Sequence, residues 1–212
     1  YAAFMSWMFV VTRCRKKFPE RTVNSIYFDD IEFSSVKDNL SGLPDRLKTR
    51  LRWYQNEAKG VALPPVLEEK IRSGRLGSKN TLKLNSVSED IEKMPLTDVM
   101  ACLRSELPLD HDLSRHHFSP VLNVSYSRQY FEEATGLRIT IDEKIRFRSN
   151  FSLARSLNTH RYVQYQSRIA ELKFDPCLKD TVKDLLLPLN ISPVRHSKYL
   201  TGMAMFGQVN YL

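Results

Sequence analysis

The sequence predicts an α+β fold built on an antiparallel sheet or barrel. Three observations lead there. Many short segments alternate apolar and charged residues; turn-like stretches join them rather than helices; and helical periodicity is confined to the two ends and one central stretch. A chain of 212 residues suits one domain.

The elements follow in order. Residues 2–17 place Phe4, Met8 and Val11 at helical spacing. "TVNSIYFDD" (22–30) is rich in β-branched and aromatic residues and predicts a strand. Phe33, Val36 and Leu40 suggest a short helix that stops at Gly42 and Pro44. "RLKTRLRWY" (46–54) predicts the next strand, "GVALPP" a connector, and "VLEEKIR" (66–72) another strand. "GRLGSKN" reads as a turn and "TLKLN" as a short strand. In "PLTDVMACLRSEL", Leu96, Met100, Leu103 and Leu107 form one helical stripe. After the polar "DHDLSRHHF" come three expected strands, "VLNVSYSRQY", "LRITIDEKIRFR" and "VQYQSRIAELKF". "LKDTVKDLLLPLN" and "PVRHSKYLTGMAMF" predict helices at the end. No repeat of fixed period and no low-complexity tract interrupts the pattern.

In a strand, residues i and i+2 share a face about 7 Å apart. Arg46, Lys48, Arg50 and Arg52 therefore stand on one face, with Leu47, Leu51 and Trp53 on the other. Glu68, Lys70 and Arg72 oppose Leu67 and Ile71, and Lys83 stands between Leu82 and Leu84. Arg138, Thr140 and Asp142 oppose Ile139 and Ile141; Lys144, Arg146 and Arg148 oppose Ile145 and Phe147. Glu171 and Lys173 oppose Leu172 and Phe174. This alternation fits a sheet with one wet face and equally a barrel with a charged lumen. Two details favour a binding face. Residues 46–52 carry four cations and no acid, whereas ordinary surfaces intersperse the signs. Glu68 and Glu171 each sit two residues from a Lys, which is what a divalent metal beside a phosphate chain requires.

Composition points the same way. The 32 Lys and Arg against 24 acids give a formal net charge of +8, which implies an anionic partner. The cysteines Cys14, Cys102 and Cys177 form no CxxC pair, so neither a zinc ribbon nor a disulfide framework is supported, and a reducing, cytoplasmic compartment is expected. "MSWMFVV" (5–11) is far short of the ~20 residues that span a bilayer and lacks signal-peptide flanks. There is no HExxH, Walker A or Gly-rich dinucleotide motif. His111, His116 and His117 read as a solvated loop or helix start, Cys102 as a core residue, and Trp7 and Trp53 as packing residues.

The motifs "SIYFD" (25–29), "RLRWY" (50–54), "LEEK" (67–70), "YSR" (126–128), "RITID" (138–142), "ELK" (171–173) and "SKYLTG" (197–202) occur in that order. Together they resemble the VTC domain, the polyphosphate polymerase module of the vacuolar transporter chaperone complex. That domain belongs to the triphosphate tunnel metalloenzymes, also called the CYTH superfamily. The resemblance covers about residues 2–206. It implies an antiparallel β-barrel tunnel with inward charges, helices packed outside and a C-terminal helix near the tunnel mouth.

The resemblance also implies site residues. Arg50, Arg52, Lys70, Lys83, Arg128 and Arg138 would bind phosphate. Arg195 and Lys198, placed on the last helix, would approach the mouth; Arg195 stands where Lys is usual. Glu171 would hold Mn²⁺ or Mg²⁺, and Glu68 would ligate the metal or orient Lys70. The family's first strand, with its Glu-x-Lys type motif, precedes the helix that here begins near Tyr1. Residues 1–212 are therefore expected to be a single VTC-like domain without that strand.

The expected activity is transfer of the γ-phosphoryl group of a nucleoside triphosphate such as ATP to a phosphate chain. A metal-dependent triphosphatase of the same fold is the alternative. A non-enzymatic binder of polyphosphate or nucleic acid, using aromatics such as Trp53 and Tyr54 as a stacking platform, is the competing class.

Overall fold

The computed structural model describes residues 1–56, 61–62, 64–74, 76–85, 91–111, 113–114, 118–150 and 162–210. Among the described residues, nine strands form one antiparallel sheet: β1 (Arg15–Asp29), β2 (Arg46–Asn56), β3 (Val61–Ala62), β4 (Val66–Ser73), β5 (Leu76–Lys83), β6 (Ser119–Glu132), β7 (Arg138–Ser149), β8 (Val163–Gln164) and β9 (Ile169–Lys173). The order is β5-β4-β2-β1-β6-β7-β8, with β3 also on β2 and β9 also on β7. Five α-helices accompany it among the described residues: α1 (Ala2–Val10), α2 (Ser34–Leu40), α3 (Leu96–Glu106), α4 (Lys179–Leu186) and α5 (Lys198–Met205).

The apolar faces of the strands are covered by helices. Ile26, Phe28, Leu51, Trp53 and Leu67 pack with Leu96, Val99, Met100 and Leu103, the buried stripe of α3. Phe131, Ile139 and Ile141 pack with Trp7 and Met8 of α1 and Val182 of α4. Trp7 also donates its indole N–H to the Leu185 carbonyl at 2.6 Å. The charged rows of β2, β4 and β7 are thereby left on the opposite face, as the period of two requires. Helix α5 lies on that face, its Tyr199, Leu200 and Met203 buried with Tyr27, Leu122, Val124 and Phe147. Gly202 makes this approach possible: a Cβ there would lie 2.6 Å from Leu122 and 2.7 Å from Phe147.

The sheet is a single ladder that hydrogen bonds do not close into a ring among the described residues; β5 is an edge, exposed along its whole length. Five expectations for single elements are corrected. Strand β1 starts at Arg15, not residue 22, and α1 ends at Val10, not residue 17. Pro19 falls between two register shifts in the β1–β6 pairing, at Lys16/Phe18 and Phe18/Arg21; bulges are where a strand tolerates proline. "VQYQSRIAELKF" forms two short strands, β8 and β9, rather than one.

The fourth correction is in β7. Lys144 takes a left-handed conformation (φ 53°), and the β6–β7 register shifts between Ser125 and Ser127. One extra residue reverses the alternation. Ile145 and Phe147 consequently pack with α5, and Arg146 and Arg148 turn to the other face, where Arg146 is in register with Ser125 and Arg148 with Asn123. The fifth concerns Arg195, which precedes α5 on an irregular segment; the helix starts at Ser197, whose Oγ accepts the Leu200 N–H at 3.4 Å.

Candidate active site

Two buried carboxylates organise the charged face. Glu68 of β4 faces Arg50 across the β2–β4 ladder. It accepts from Arg50 Nε at 2.7 Å and Nη2 at 2.6 Å and from Lys79 Nζ at 2.6 Å, with Arg52 Nη1 at 3.6 Å. Burial opposes ionisation of Glu68, but the charges of Arg50 and Arg52 and the hydrogen bonds from Lys79 and Arg50 outweigh it and hold the carboxyl at about 2.

Asp142 of β7 is in register with Arg128 of β6 and is fully buried. Arg128 grips it through both forks, Nε to Oδ1 at 2.6 Å and Nη2 to Oδ2 at 2.8 Å. Lys198 of α5 reaches Oδ2 at 2.5 Å. Burial again opposes the charge, and Arg128 and Lys198 overcome it, so the Asp142 pKa lies below its ordinary value.

Two tyrosines join these clusters. The Tyr126 ring lies 5.1 Å from the Arg128 guanidinium and 4.8 Å from Lys198 Nζ. Tyr27 accepts a hydrogen bond from Arg50 Nη1 at 3.1 Å and stacks on Tyr199, centroids 4.7 Å apart and planes 4° from parallel. Burial alone would raise the Tyr27 phenol, yet Arg50, Arg52 and Lys198 bring it below its ordinary value. A phenol more acidic than usual inside a buried site measures how positive the surroundings are.

The remaining expected residues are placed as follows. Glu171 of β9 lies 3.3 Å from Lys173 Nζ and 3.8 Å from Arg128 Nη2, its side chain nearly half-exposed. Lys70 is in register with Lys48 and Lys79 and is exposed. Lys83, at the end of β5 opposite Val66, is exposed, as are Arg138, opposite Glu132 and Lys173, and Arg195. None of Lys70, Lys83, Arg138 and Arg195 makes an ion pair among the described residues. The structure thus gathers Arg50, Arg52 and Glu68 into one cluster and Arg128, Glu171 and Lys198 into a second. His111 is not a solvated loop residue: its Nε2 lies 3.0 Å from Glu69 on the helix-covered side. His116 and His117 lie outside the described residues.

Sequence reasoning missed Asp142, Tyr27, Tyr126 and Lys79 as members of this site. Asp142 carried a signal, standing two and four residues from Thr140 and Arg138 on the charged face. The tyrosines read as ordinary strand formers and carried none.

A metal could enter through Glu171. Its carboxylate is solvent-accessible and its contacts are long, whereas Glu68 and Asp142 are saturated by cations. No cluster of three His, Cys, Asp or Glu gathers among the described residues. A hard divalent ion bound to one carboxylate and completed by phosphate oxygens and water fits this arrangement. A separate cavity of about 140 Å³ opens on the helix-covered side between Asn24, Trp53, Glu92 and Arg146, away from these cations.

The family model of the VTC domain matches residues 8–207. The chain belongs to the VTC domain family. This VTC domain also resembles two solved structures. One is the PH1819 protein from Pyrococcus horikoshii OT3 (15% identity, TM-score 0.51, covering 96% of this chain and 93% of that one). The other is the putative adenylyl cyclase HpAC1 from Hippeastrum, described as revealing a dominant triphosphatase activity (14% identity, TM-score 0.53, covering 99% and 92%). No curated protein matches the sequence. The likenesses show the fold of the VTC domain to be of the tunnel type, α+β on an antiparallel sheet, although among the described residues its strands do not close by hydrogen bonds. Among the described residues, no helix of the VTC domain is long and apolar enough to cross a membrane.

Proposed function

We propose that this VTC domain is a polyphosphate polymerase, transferring the γ-phosphoryl group of a nucleoside triphosphate to a phosphate chain. The observation that supports it is the convergence of Arg50, Arg52, Lys79, Arg128 and Lys198, from three strands and one helix, on one partly buried face. Such a face is costly when empty, because like charges repel in a medium of reduced dielectric. Glu68 and Asp142 relieve part of that cost and hold the guanidinium forks in place. A phosphate chain relieves the rest, each charge-assisted hydrogen bond contributing about 1.5–3 kcal/mol.

Phosphoryl transfer requires in-line positioning and neutralisation of charge more than covalent work by the protein. Arg50 and Arg52 would hold one stretch of the chain and Arg128 with Lys198 another, so donor and acceptor meet between them. Lys70, Lys83, Arg138 and Arg195 would guide the chain outside that centre. Glu171 would hold Mn²⁺ or Mg²⁺, which supplies charge neutralisation between the reacting phosphates.

A second reading is a triphosphatase, in which water replaces the phosphate acceptor; the activity described for HpAC1 favours it. Chain-length analysis of the products from ATP with Mn²⁺ separates the two. Long polymer supports the polymerase, tripolyphosphate hydrolysis without polymer supports the triphosphatase, and unchanged ATP under metal excludes both. Glu171→Gln should abolish turnover while leaving tripolyphosphate binding largely intact; full turnover in that variant would remove Glu171 from the metal site.

A further inference from the structure

The row of the sheet that carries Glu171 begins on two aromatic rings. Phe18 of β1 is in register with Tyr130 of β6, Tyr130 with Thr140 of β7, and Thr140 with Glu171 of β9. Residues paired across a ladder share a face, so these four side chains stand on one line across the sheet. Phe18 reaches that line because the β1–β6 register shifts on either side of it. Phe18 and Arg21 are three residues apart and would point to opposite faces of a regular strand. The shift between them brings both to the charged face. There the Arg21 guanidinium lies 5.4 Å from the Phe18 ring centre, and Arg21 is in register with Arg128.

Phe18 and Tyr130 meet edge to face, centroids 5.8 Å apart and planes at 85°, and form a corner. The corner is open: Phe18 is 45% exposed. Burial pushes the Tyr130 phenol up to about 12, although Arg128 and Arg21 oppose it, so the corner carries no negative charge at neutral pH. Thr140 Oγ1, next in the row, is buried and has no hydrogen-bond partner among the described residues. Aromatic rings beside a guanidinium are what a nucleobase stacks on. Three ladder steps separate Phe18 from Glu171, about 14 Å at the usual strand spacing. A ribose and its inner phosphates bridge such a gap.

We propose that Phe18, Tyr130 and Arg21 form a nucleobase platform, which seats the nucleoside end of the triphosphate donor so that its phosphates run past Thr140 toward Arg128 and Glu171. The proposal rests on the reading of the charged face as a triphosphate-donor site, and it adds which end of that face receives the nucleoside. It gives the donor a contact that an inorganic phosphate chain lacks. Stacking accepts every base and strengthens with ring area, so purine nucleotides should bind more tightly than pyrimidine nucleotides.

The test compares ATP with methyl triphosphate, the same triphosphate ester without a nucleoside, and with tripolyphosphate. Affinities are measured by calorimetry with Mg²⁺ in the unaltered chain, in Phe18→Ala and in Phe18→Trp, substitutions at an exposed position. The unaltered chain should bind ATP about tenfold more tightly than methyl triphosphate. Phe18→Ala should abolish that preference and change the affinity for methyl triphosphate and tripolyphosphate less than about twofold. Phe18→Trp should keep the preference. The emission of 2-aminopurine riboside triphosphate, which is quenched by stacking, should fall on binding to the unaltered chain and hold on binding to Phe18→Ala. A preference that survives Phe18→Ala, or equal losses for all three ligands, overturns the proposal. If the unaltered chain binds ATP and methyl triphosphate equally, the platform is refuted and the donor site stands. If it binds none of the three, both fall.

Discussion

Tyr199 donates its phenolic O–H to Asp29 Oδ2 at 2.6 Å, tying helix α5 to the end of β1. Asp29 is fully buried and already accepts the backbone N–H groups of Asp30, Ser35 and Val36. The final residue of "SIYFD" and the Tyr of "SKYLTG" are thus one structural contact, and Tyr199 in turn stacks on Tyr27 behind Arg50. Removing the phenolic oxygen leaves the buried Asp29 Oδ2 with only the longer bond from the Val36 N–H, at 3.3 Å. Tyr199→Phe should therefore cost about 1–3 kcal/mol, read as a lower denaturation midpoint at unchanged m-value. A variant as stable as the parent would mean the contact contributes nothing.

Gly202 is the second anchor of α5. The clashes a Cβ would make with Leu122 and Phe147 are with side chains in a filled core, which have little room to yield. Gly202→Ala should destabilise by about 1–3 kcal/mol and weaken tripolyphosphate binding, because Lys198 moves with the helix. Unchanged stability together with unchanged binding would show that the helix seats elsewhere.

Glu68 gives the fold a defined acid response. Its carboxyl is held at about 2 against an ordinary 4.5. A group whose folded pKa is lowered contributes stability above its unfolded pKa and loses it as pH falls towards the folded one. The contribution, at most about 3 kcal/mol, should be complete at neutral pH and decline from near pH 4.5 to near pH 2. Denaturant unfolding across that window should show the decline in the parent, and Glu68→Gln should show a smaller one. Equal declines would assign the acid sensitivity to other carboxylates, Asp142 first among them.

Much of this was legible in the sequence because strand alternation is strict wherever one face is covered. Arg50, Arg52 and Glu68 follow from period two alone, and Leu96, Met100, Leu103 and Leu107 from the helical stripe, all four buried along α3 and its C-cap. Other features were hidden for physical reasons. The bulge at Lys144, a non-glycine residue with positive φ, has no turn signature, yet it moves Arg146 and Arg148 to the other face. The first half of β1 carries cations and Pro19, its residues 15–17 read as the end of the first helix, and pairing with β6 overrides that local preference. The pairing of Asp142 with Lys198 joins residues from β7 and α5 that only the folded chain brings together.

Tripolyphosphate should stabilise the fold by mass action, by about 2.7 kcal/mol at 100 times its Kd. Arg50→Ala combined with Arg52→Ala should remove most of that thermal shift. It also leaves Glu68 with Lys79 alone, so the unliganded variant should be less stable than the parent. A full shift in the double variant would place the anion elsewhere.

Lys48 makes binding of a long phosphate chain pH-dependent in a stated direction. In the empty domain its amine titrates at about 8, depressed first by burial and then by Arg46, Lys70 and Arg50. A polyanion laid against it favours the ammonium form and raises that value. Chain binding should therefore take up a proton when measured near pH 8, and affinity should fall as pH rises through and beyond 8. Calorimetry in two buffers of different ionisation enthalpy reads the proton count directly. Lys48→Met should abolish the uptake, and Lys48→Arg should abolish it while keeping the affinity. Equal uptake in parent and Lys48→Met would assign the proton to another group and remove Lys48 from contact with the chain.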